Sequence, residues 1–270
     1  MQGASRDALA QAWTDVERRL SQSDVDATQI GDELFGVVGV IDGQVGLRRA
    51  LSDPSLEADR KAELVESLLG SRVSAATVEI VSGLVRSRWS RTRDLPDAIE
   101  TLAVLAEMIA AELAGEADDV EDELFRFGRI VESRSQLREA LRSQVLPDEN
   151  KVALISALLE GKVTPTTVRL VTELVVHPRG RTPEAAISEY GKVAAQHRQR
   201  AIARVTTAVV LSDDERDRLQ SALAAMYGRD VHLEVEVDPD IVGGVVVQVG
   251  DEVLDGSIAG RLADARRRLE

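Results

Sequence analysis

The chain contains no cysteine, which removes disulfide frameworks and thiolate chemistry together. Two Trp, two Tyr and three Phe are all the aromatics among 270 residues, so a core here relies on Leu, Val, Ile and Ala, a composition that suits closely packed helices. Lysine is confined to Lys61, Lys151, Lys162 and Lys192. With a formal net charge of −14, the chain lacks the clustered cations that phosphate-backbone binding requires, so no nucleic-acid partner and no direct lipid binding are expected. No apolar run approaches the roughly 20 residues of a membrane span. The first residues, Met1 to Trp13, lack a basic segment followed by an apolar one, so no signal peptide is expected.

Signatures of catalysis are missing as well. There is no GxxxxGK[ST] phosphate loop and no GxSxG elbow, since Asp255-Gly256-Ser257 does not match it. Gly243-Gly244 precedes a strand-like run, whereas a dinucleotide fingerprint follows one and opens a helix. His177, His197 and His232 lie far apart, with no paired-ligand spacing. Asp24-Val25-Asp26 begins like a calcium loop, but Gln29 stands where the loop needs glycine. The acidic run Asp118, Asp119, Glu121, Asp122 and Glu123 reads as a helix N-terminus complementing its dipole. No catalytic, cofactor-binding or metal-binding residue is therefore assigned, and no cofactor is expected.

What is present is a repeat. The tetrapeptide DELF occurs at Asp32–Phe35 and again at Asp122–Phe125. The ninety-residue offset continues without a gap through Leu47-Arg48 and Leu137-Arg138, Lys61 and Lys151, Leu68-Leu69 and Leu158-Leu159, Thr77-Val78 and Thr167-Val168, and Arg91-Thr92 and Arg181-Thr182. The matches are mostly apolar and helically spaced, so the repeated property is a core. An amphipathic stripe of Leu9, Trp13, Val16 and Leu20 predicts a first helix over Arg6–Leu20. Further helices are expected at Glu33–Ile41, Leu47–Leu51, Glu57–Leu69 (Leu64, Leu68 and Leu69 sharing a face) and Ala75–Val85, the last capped by Ser74. A long apolar helix over Arg93–Ala114 aligns with the first helix at the same offset. It is positioned to close one bundle and open the next, and Pro183–Arg198 is expected to close the second.

At Ala201 the pattern changes. Ile202–Val210 reads as a strand, Ser212 as the cap of an amphipathic helix ending at Gly228, and Val231–Val237 as a strictly alternating strand with Val231, Leu233, Val235 and Val237 inward. In Asp238–Leu262, Gly243 and Gly244 precede a valine strand, Val245–Val249. Gly250-Asp251 then turns into a short return strand, and Asp255-Gly256-Ser257 starts a last helix whose Ile258, Leu262, Ala265 and Leu269 share a face. Gly243, Gly244, Gly250 and Gly256 mark positions expected to need positive φ or close approach, so Gly243→Val is expected to cost stability. Arg266, Arg267 and Arg268 end that helix, either complementing its dipole or offering a basic partner-binding tail. The expected architecture is mostly α with a small α/β C-terminal domain. An extra helical bundle (1–92) and a second bundle (93–200) precede a β-α-β-β-α sandwich (201–270).

Arg204 to Val209 followed by Leu211-Ser212, the helix ending near Tyr227-Gly228, the alternating strand and the segment from Asp238 to Arg261 resemble the δ subunit of F-type ATP synthases, the family of the mitochondrial oligomycin-sensitivity-conferring protein. Gly243, Gly244, Gly250, Asp255, Gly256 and Ser257 carry its most recognisable signature. Leu141, Lys151, Leu158-Leu159 and Leu174-Val175 match its N-terminal bundle in order. The resemblance covers about Arg93 to Glu270, leaving Met1–Thr92 as an added copy, as in an extended actinobacterial form. It implies a non-catalytic connector of the peripheral stalk, acting as a monomer within a hetero-oligomeric complex. That connector couples proton-driven rotation to ATP synthesis from the cytoplasmic face of the bacterial plasma membrane. Implied partners are the N-termini of the α subunits of the catalytic head, taken in a bundle groove, and the b or b′ stalk subunits, gripped by the C-terminal domain. In the second bundle that groove is expected between Ala98–Ala114 and Thr166–Val176, lined by Leu102, Leu105, Ile109, Val168, Val171 and Val175. The alternatives open at this point are a helical adaptor or scaffold unrelated to the synthase, and a small-molecule enzyme with a polar pocket in the α/β domain.

Overall fold

The computed structural model describes residues 1, 3–21, 25–143, 145–200, 202–227, 231–238, 243–249 and 252–255. Among them the chain forms α1 (Ala4–Leu20), α2 (Ala27–Gly43), α3 (Val45–Ser52), α4 (Ala58–Leu69), α5 (Ala75–Arg86), α6 (Asp94–Leu113), α7 (Ala117–Ser133), α8 (Ser135–Arg142), α9 (Asp148–Leu159), α10 (Pro165–Val176) and α11 (Pro183–Arg200). These are followed by β1 (Ile202–Thr207), α12 (Asp213–Tyr227), β2 (His232–Val237), β3 (Val245–Val249) and β4 (Glu252–Asp255). Every bound of α2 to α5 recurs ninety residues later in α7 to α10. The chain divides into two compact units, Met1–Ala194 and Ala195–Glu270. The expected boundary near residue 92 falls inside the first unit, where one continuous apolar cluster runs from Ala8 to Ala194.

That cluster is continuous because of α6. Of its twenty residues, fifteen are buried, the pattern of a helix surrounded by others instead of lying on a surface. It packs against α1, α2, α3, α5, α7 and α10, most extensively against α2. Close approach is possible because α6 offers Ala98, Ala103, Ala106 and Ala111, and because α2 places Gly31 against Glu107, where a Cβ would lie 2.8 Å from the carboxylate Oε1.

Helix starts follow the side chains that cap them. Asp26 accepts the backbone N–H groups of Thr28 and Gln29 at 3.0 and 3.2 Å, satisfying donors that the first turn of α2 leaves open. Ser74 and Thr164 do the same for α5 and α10 through the backbone N–H of Thr77 and Thr167, at 3.3 and 3.2 Å. The expected inward face of α4 is corrected by the structure. Leu68 is 40% exposed, while Lys61, Ala62, Val65 and Leu69 are the buried residues of that helix. The lysine stem is long enough to cover apolar surface, so the inward stripe is rotated from the one the leucines indicate. Lys151 and Leu158 repeat this arrangement in α9, with Lys151 6% exposed and Leu158 37% exposed.

In the second unit the sheet order is β2-β1-β3-β4. β1 runs parallel to β2 and antiparallel to β3, and β3 pairs antiparallel with β4. The hairpin supplies two strands, so the described sheet has four where β-α-β-β-α counts three. β1 stops at Thr207, whose hydroxyl donates to the Val209 carbonyl at 2.7 Å, and Val209 and Val210 are exposed. Ser212 and Glu215 form a reciprocal capping box at the start of α12. Ala203, Val205, Leu223, Val231, Leu233, Val247 and Val249 make the small core. Val235 is only half-buried and Val237 is 42% exposed, so the inward face of β2 is narrower than its alternation indicates. The last helix and its arginines lie outside the described residues.

Candidate interface sites

The six residues expected to line a groove on the second bundle are interior. Leu102, Leu105, Val171 and Val175 are at most 1% exposed and Ile109 is 6% exposed, while Val168 is half-buried against the same core. α2 packs along α6 more extensively than any other helix does, so apolar surface of α6 is covered within the chain. Sequence pattern alone identifies these residues as apolar and helical. It does not reveal that five of them are already buried within the chain.

Ion pairs fasten the loop between α10 and α11 to α2 and α6. Arg179, in the loop between α10 and α11, has a side chain only 6% exposed. Its guanidinium donates to Asp42 of α2 at 2.5 Å, to Asp97 of α6 at 2.7 Å and to Glu100 of α6. Arg181 also pairs with Glu100, which accepts the hydroxyl of Tyr190 at 3.0 Å. Burial alone would make the Arg179 cation easier to lose, but the three carboxylates outweigh it and hold the group firmly protonated. Burial, with Glu100 adjacent, pushes the Tyr190 phenol well above its ordinary range. Arg179 adopts a positive φ of 51° and Gly180 one of 76°. A left-handed conformation at a non-glycine costs roughly 1–2 kcal/mol, which the three-carboxylate contact offsets.

A second buried pair lies between α6 and α10. Glu107, fully buried, accepts from Arg169 Nη2 at 2.6 Å and Nε at 3.0 Å through Oε2. Its Oε1 has no hydrogen-bond partner among the described residues. Burial raises the Glu107 pKa despite the arginine. Sequence reasoning missed both networks. A third network did have a signal in the sequence, the acid inside DELF. Glu33 Oε2 accepts the Ser74 hydroxyl and the Thr77 hydroxyl, each at 2.6 Å, and Glu123 accepts the Thr164 hydroxyl at 2.8 Å. The repeated acid therefore anchors a repeated helix cap 41 residues away.

Of the six signature residues, Gly243 and Gly244 take φ values of 68° and 89°, conformations that side chains disfavour, just before β3. Asp255 ends β4. Gly250, Gly256 and Ser257 lie outside the described residues. The described members sit at strand boundaries and punctuate the fold. Residues 106–269 match the family model "ATP synthase delta (OSCP) subunit", more than half of the chain.

The chain belongs to the ATP synthase delta (OSCP) subunit family.

The ATP synthase subunit delta of Acidothermus cellulolyticus is 56% identical over 272 residues, covering 100% of this chain and 99% of that protein. The Streptomyces avermitilis delta subunit is 51% identical, covering 99% and 98%. These relatives match across the residues that precede the family-model match, so their length includes the added helices. A chain of the Toxoplasma gondii mitochondrial ATP synthase hexamer, solved by cryo-EM, covers 62% of this chain and 94% of its own at 18% identity, with a TM-score of 0.32. A delta subunit is a non-catalytic, peripheral accessory subunit of the synthase, which makes the capped helices and buried ion pairs structural parts. Among the described residues no helix is long and apolar enough to cross a membrane.

Proposed function

We propose that this subunit is the stator connector of the synthase. It holds the catalytic head to the b or b′ subunits of the peripheral stalk, on the cytoplasmic side of a bacterial plasma membrane, so that proton-driven rotation is not dissipated by a turning head. The observation that carries this reading is the end-to-end match to actinobacterial delta subunits. The continuous core and ion-paired interior support it, because a stator has to resist torque without performing chemistry. We further read α1–α5 as a duplicate of α6–α10, with α6 serving both copies and the chain from residue 201 onward as the part that grips the stalk. The α-subunit N-termini are the partner expected on the helical unit. The buried state of Leu102, Leu105 and Ile109 argues that they dock elsewhere than on the α6–α10 face.

Deleting the gene tests the reading. The expected result is a head that still hydrolyses ATP when isolated, while membranes lose proton-coupled synthesis. Pull-down of the intact chain is expected to recover α and b-type subunits. Normal coupling and assembly without the chain would refute the connector role.

A further inference from the structure

Two unfavourable residues meet at one point of the α2–α6 contact. Gly31 lies inside a helix, where glycine is a weaker helix former than alanine. Glu107 is a carboxylate with no exposed surface. Arg169 places both Nε and Nη2 on the same oxygen, Oε2, instead of dividing them between the two. Oε1 has no hydrogen-bond partner among the described residues. It faces Gly31, where a Cβ would stand 2.8 Å away. Asp26 and Asp32 of α2 oppose the Glu107 charge, and Arg169 supplies the cation that answers it. Neither Gly31 nor Glu107 is the residue that stability alone would choose here. A buried polar group kept at a cost in stability is best attested as a device that fixes register or partner.

The chain holds a second candidate for the place of α2. α7 repeats α2 in length, in its DELF and in its C-terminal cap, with φ −122° and ψ 94° at Gln44 and φ −118° and ψ 94° at Arg134. Both helices bury the leucine of the tetrapeptide, Leu34 and Leu124. Repeats so alike are open to exchange of one copy for the other, a characteristic failure of repeat proteins. The residue immediately before the tetrapeptide differs, being Gly31 in α2 and Glu121 in α7. In the place of α2, α7 would bring the Glu121 carboxylate onto the bare oxygen of Glu107. Glu107 would have to move, away from the arginine that holds it. The reverse contact has its own glycine. Gly128 of α7 lies against Ile187 of α11, where a Cβ would be 3.3 Å from Cγ2, and α2 carries Val38 at the corresponding position. Each helix thus has its glycine where its own neighbour comes close, and the other helix does not.

We propose that Glu107 is a selector, whose bare carboxylate oxygen accepts the glycine of α2 and rejects the glutamate of α7, so that the first DELF helix and not the second packs along α6. Rejection has two parts, overlap and like charge, and like charge is what a carboxylate adds over any other side chain of its size. The choice is between helices of this chain and does not depend on which subunits the chain joins.

Urea unfolding of the full-length chain tests the proposal. Gly31→Glu puts the α7 residue into α2, and Gly31→Gln fills the same space without the charge. Gly31→Glu is expected to lower the folding equilibrium constant by about a hundredfold more than Gly31→Gln, the scale of a like-charge contact inside a packed interface. In a Glu107→Gln background the gap is expected to shrink to about threefold or less. Loss of packing is common to Glu and Gln, so it does not produce this pattern. Equal losses for the two substitutions in the wild-type background overturn the proposal and leave Gly31 as a residue chosen for space alone. Where Gly31→Glu does not fold, its combination with Glu107→Gln decides. A cooperative transition matching that of Gly31→Gln with Glu107→Gln supports the selector, and no transition while that control folds overturns it. A transplant addresses the choice of helix directly. With the sequence of residues 117–133 placed at 27–43, the chain is expected to fold about a hundredfold less favourably than the same transplant with Gly31 retained. Equal stability of the two transplants overturns the proposal.

Discussion

α2 and α7 share a length, a DELF, a cap geometry and an acid-anchored helix cap, and still differ in what surrounds them. α2 is buried on two faces, one toward its own helices and one against α6 and the α10–α11 segment. α7 keeps the first of these through Val120, Leu124, Phe127 and Val131 and presents the other to solvent. The residue choices follow. Where α2 has Gly31 against Glu107, α7 has Glu121, and where Phe35 meets a ring, Phe125 meets water. A repeated sequence therefore does not specify a repeated environment. The position of a copy within the stack decides which of its faces are core.

Substitutions at paired positions test this contrast, beginning with the largest expected effect. Phe35→Ala should destabilise by about 3–5 kcal/mol, as expected for emptying a buried aromatic site, whereas Phe125→Ala should stay within about 0.5 kcal/mol. Urea unfolding of the two variants separates them, and equal losses would remove the distinction between the faces. Arg179→Ala should cost roughly 3–5 kcal/mol by removing the buried cation that Asp42, Asp97 and Glu100 share, Arg48 and Arg181 remaining beside Asp42 and Glu100. Glu132→Gln, on the exposed counterpart of Asp42, should change stability by no more than about 0.5 kcal/mol. Gly31→Ala should cost about 1–3 kcal/mol through the clash with Glu107. Adding Glu107→Ala should give a double variant whose loss is smaller than the sum, while Glu121→Ala is expected to be neutral.

The smallest effects are expected to be equal in the two copies. Ser74→Ala and Thr164→Ala should each cost about 1 kcal/mol as cap losses. The Glu33 carboxyl has a lowered pKa: burial raises it, but hydrogen bonds from Ser74, Thr77 and Gln29 together outweigh that. A depressed folded-state pKa contributes stability that is present above the unfolded value, near ~4.3, and is lost as pH falls through the folded value. Acid titration of stability should therefore flatten below about pH 4.5 in Glu33→Gln, and an unchanged acid limb would remove the cap network from the account of acid unfolding.

Much of this fold was legible in the chain before any coordinates. Helical spacing placed most helix ends within about two residues, since Ser74, Asp53-Pro54 and Gly70 punctuate them by local chemistry alone, but it started α2 at Glu33, six residues late, because the Asp26 cap at Ala27 was not read. The change at Ala201 and the valine alternation located the sheet. Partners distant in sequence were not legible. Glu33 and Ser74 are 41 residues apart, and Arg179 and Asp42 are 137 apart, so no periodicity joins them. The candidate groove meets the same limit. Leu102, Leu105 and Ile109 form an apolar helix face whether its cover comes from another subunit or from α2. Leu68 shows a subtler limit, because side-chain type indicated an inward leucine where geometry turned a lysine stem inward.

α6 packs against helices that precede it (α1, α2, α3, α5) and helices that follow it (α7, α10), and this has a mechanical consequence. Two bundles joined by a linker would swivel at the joint, and a twist applied at one end would be spent in bending it. Here the joint is twenty residues of continuous helix, fifteen of them buried, with backbone hydrogen bonds in series along the axis. Strain entering near α1 reaches α11 through a rod with no hinge, so the unit should deform as a stiff elastic body and return what it stores.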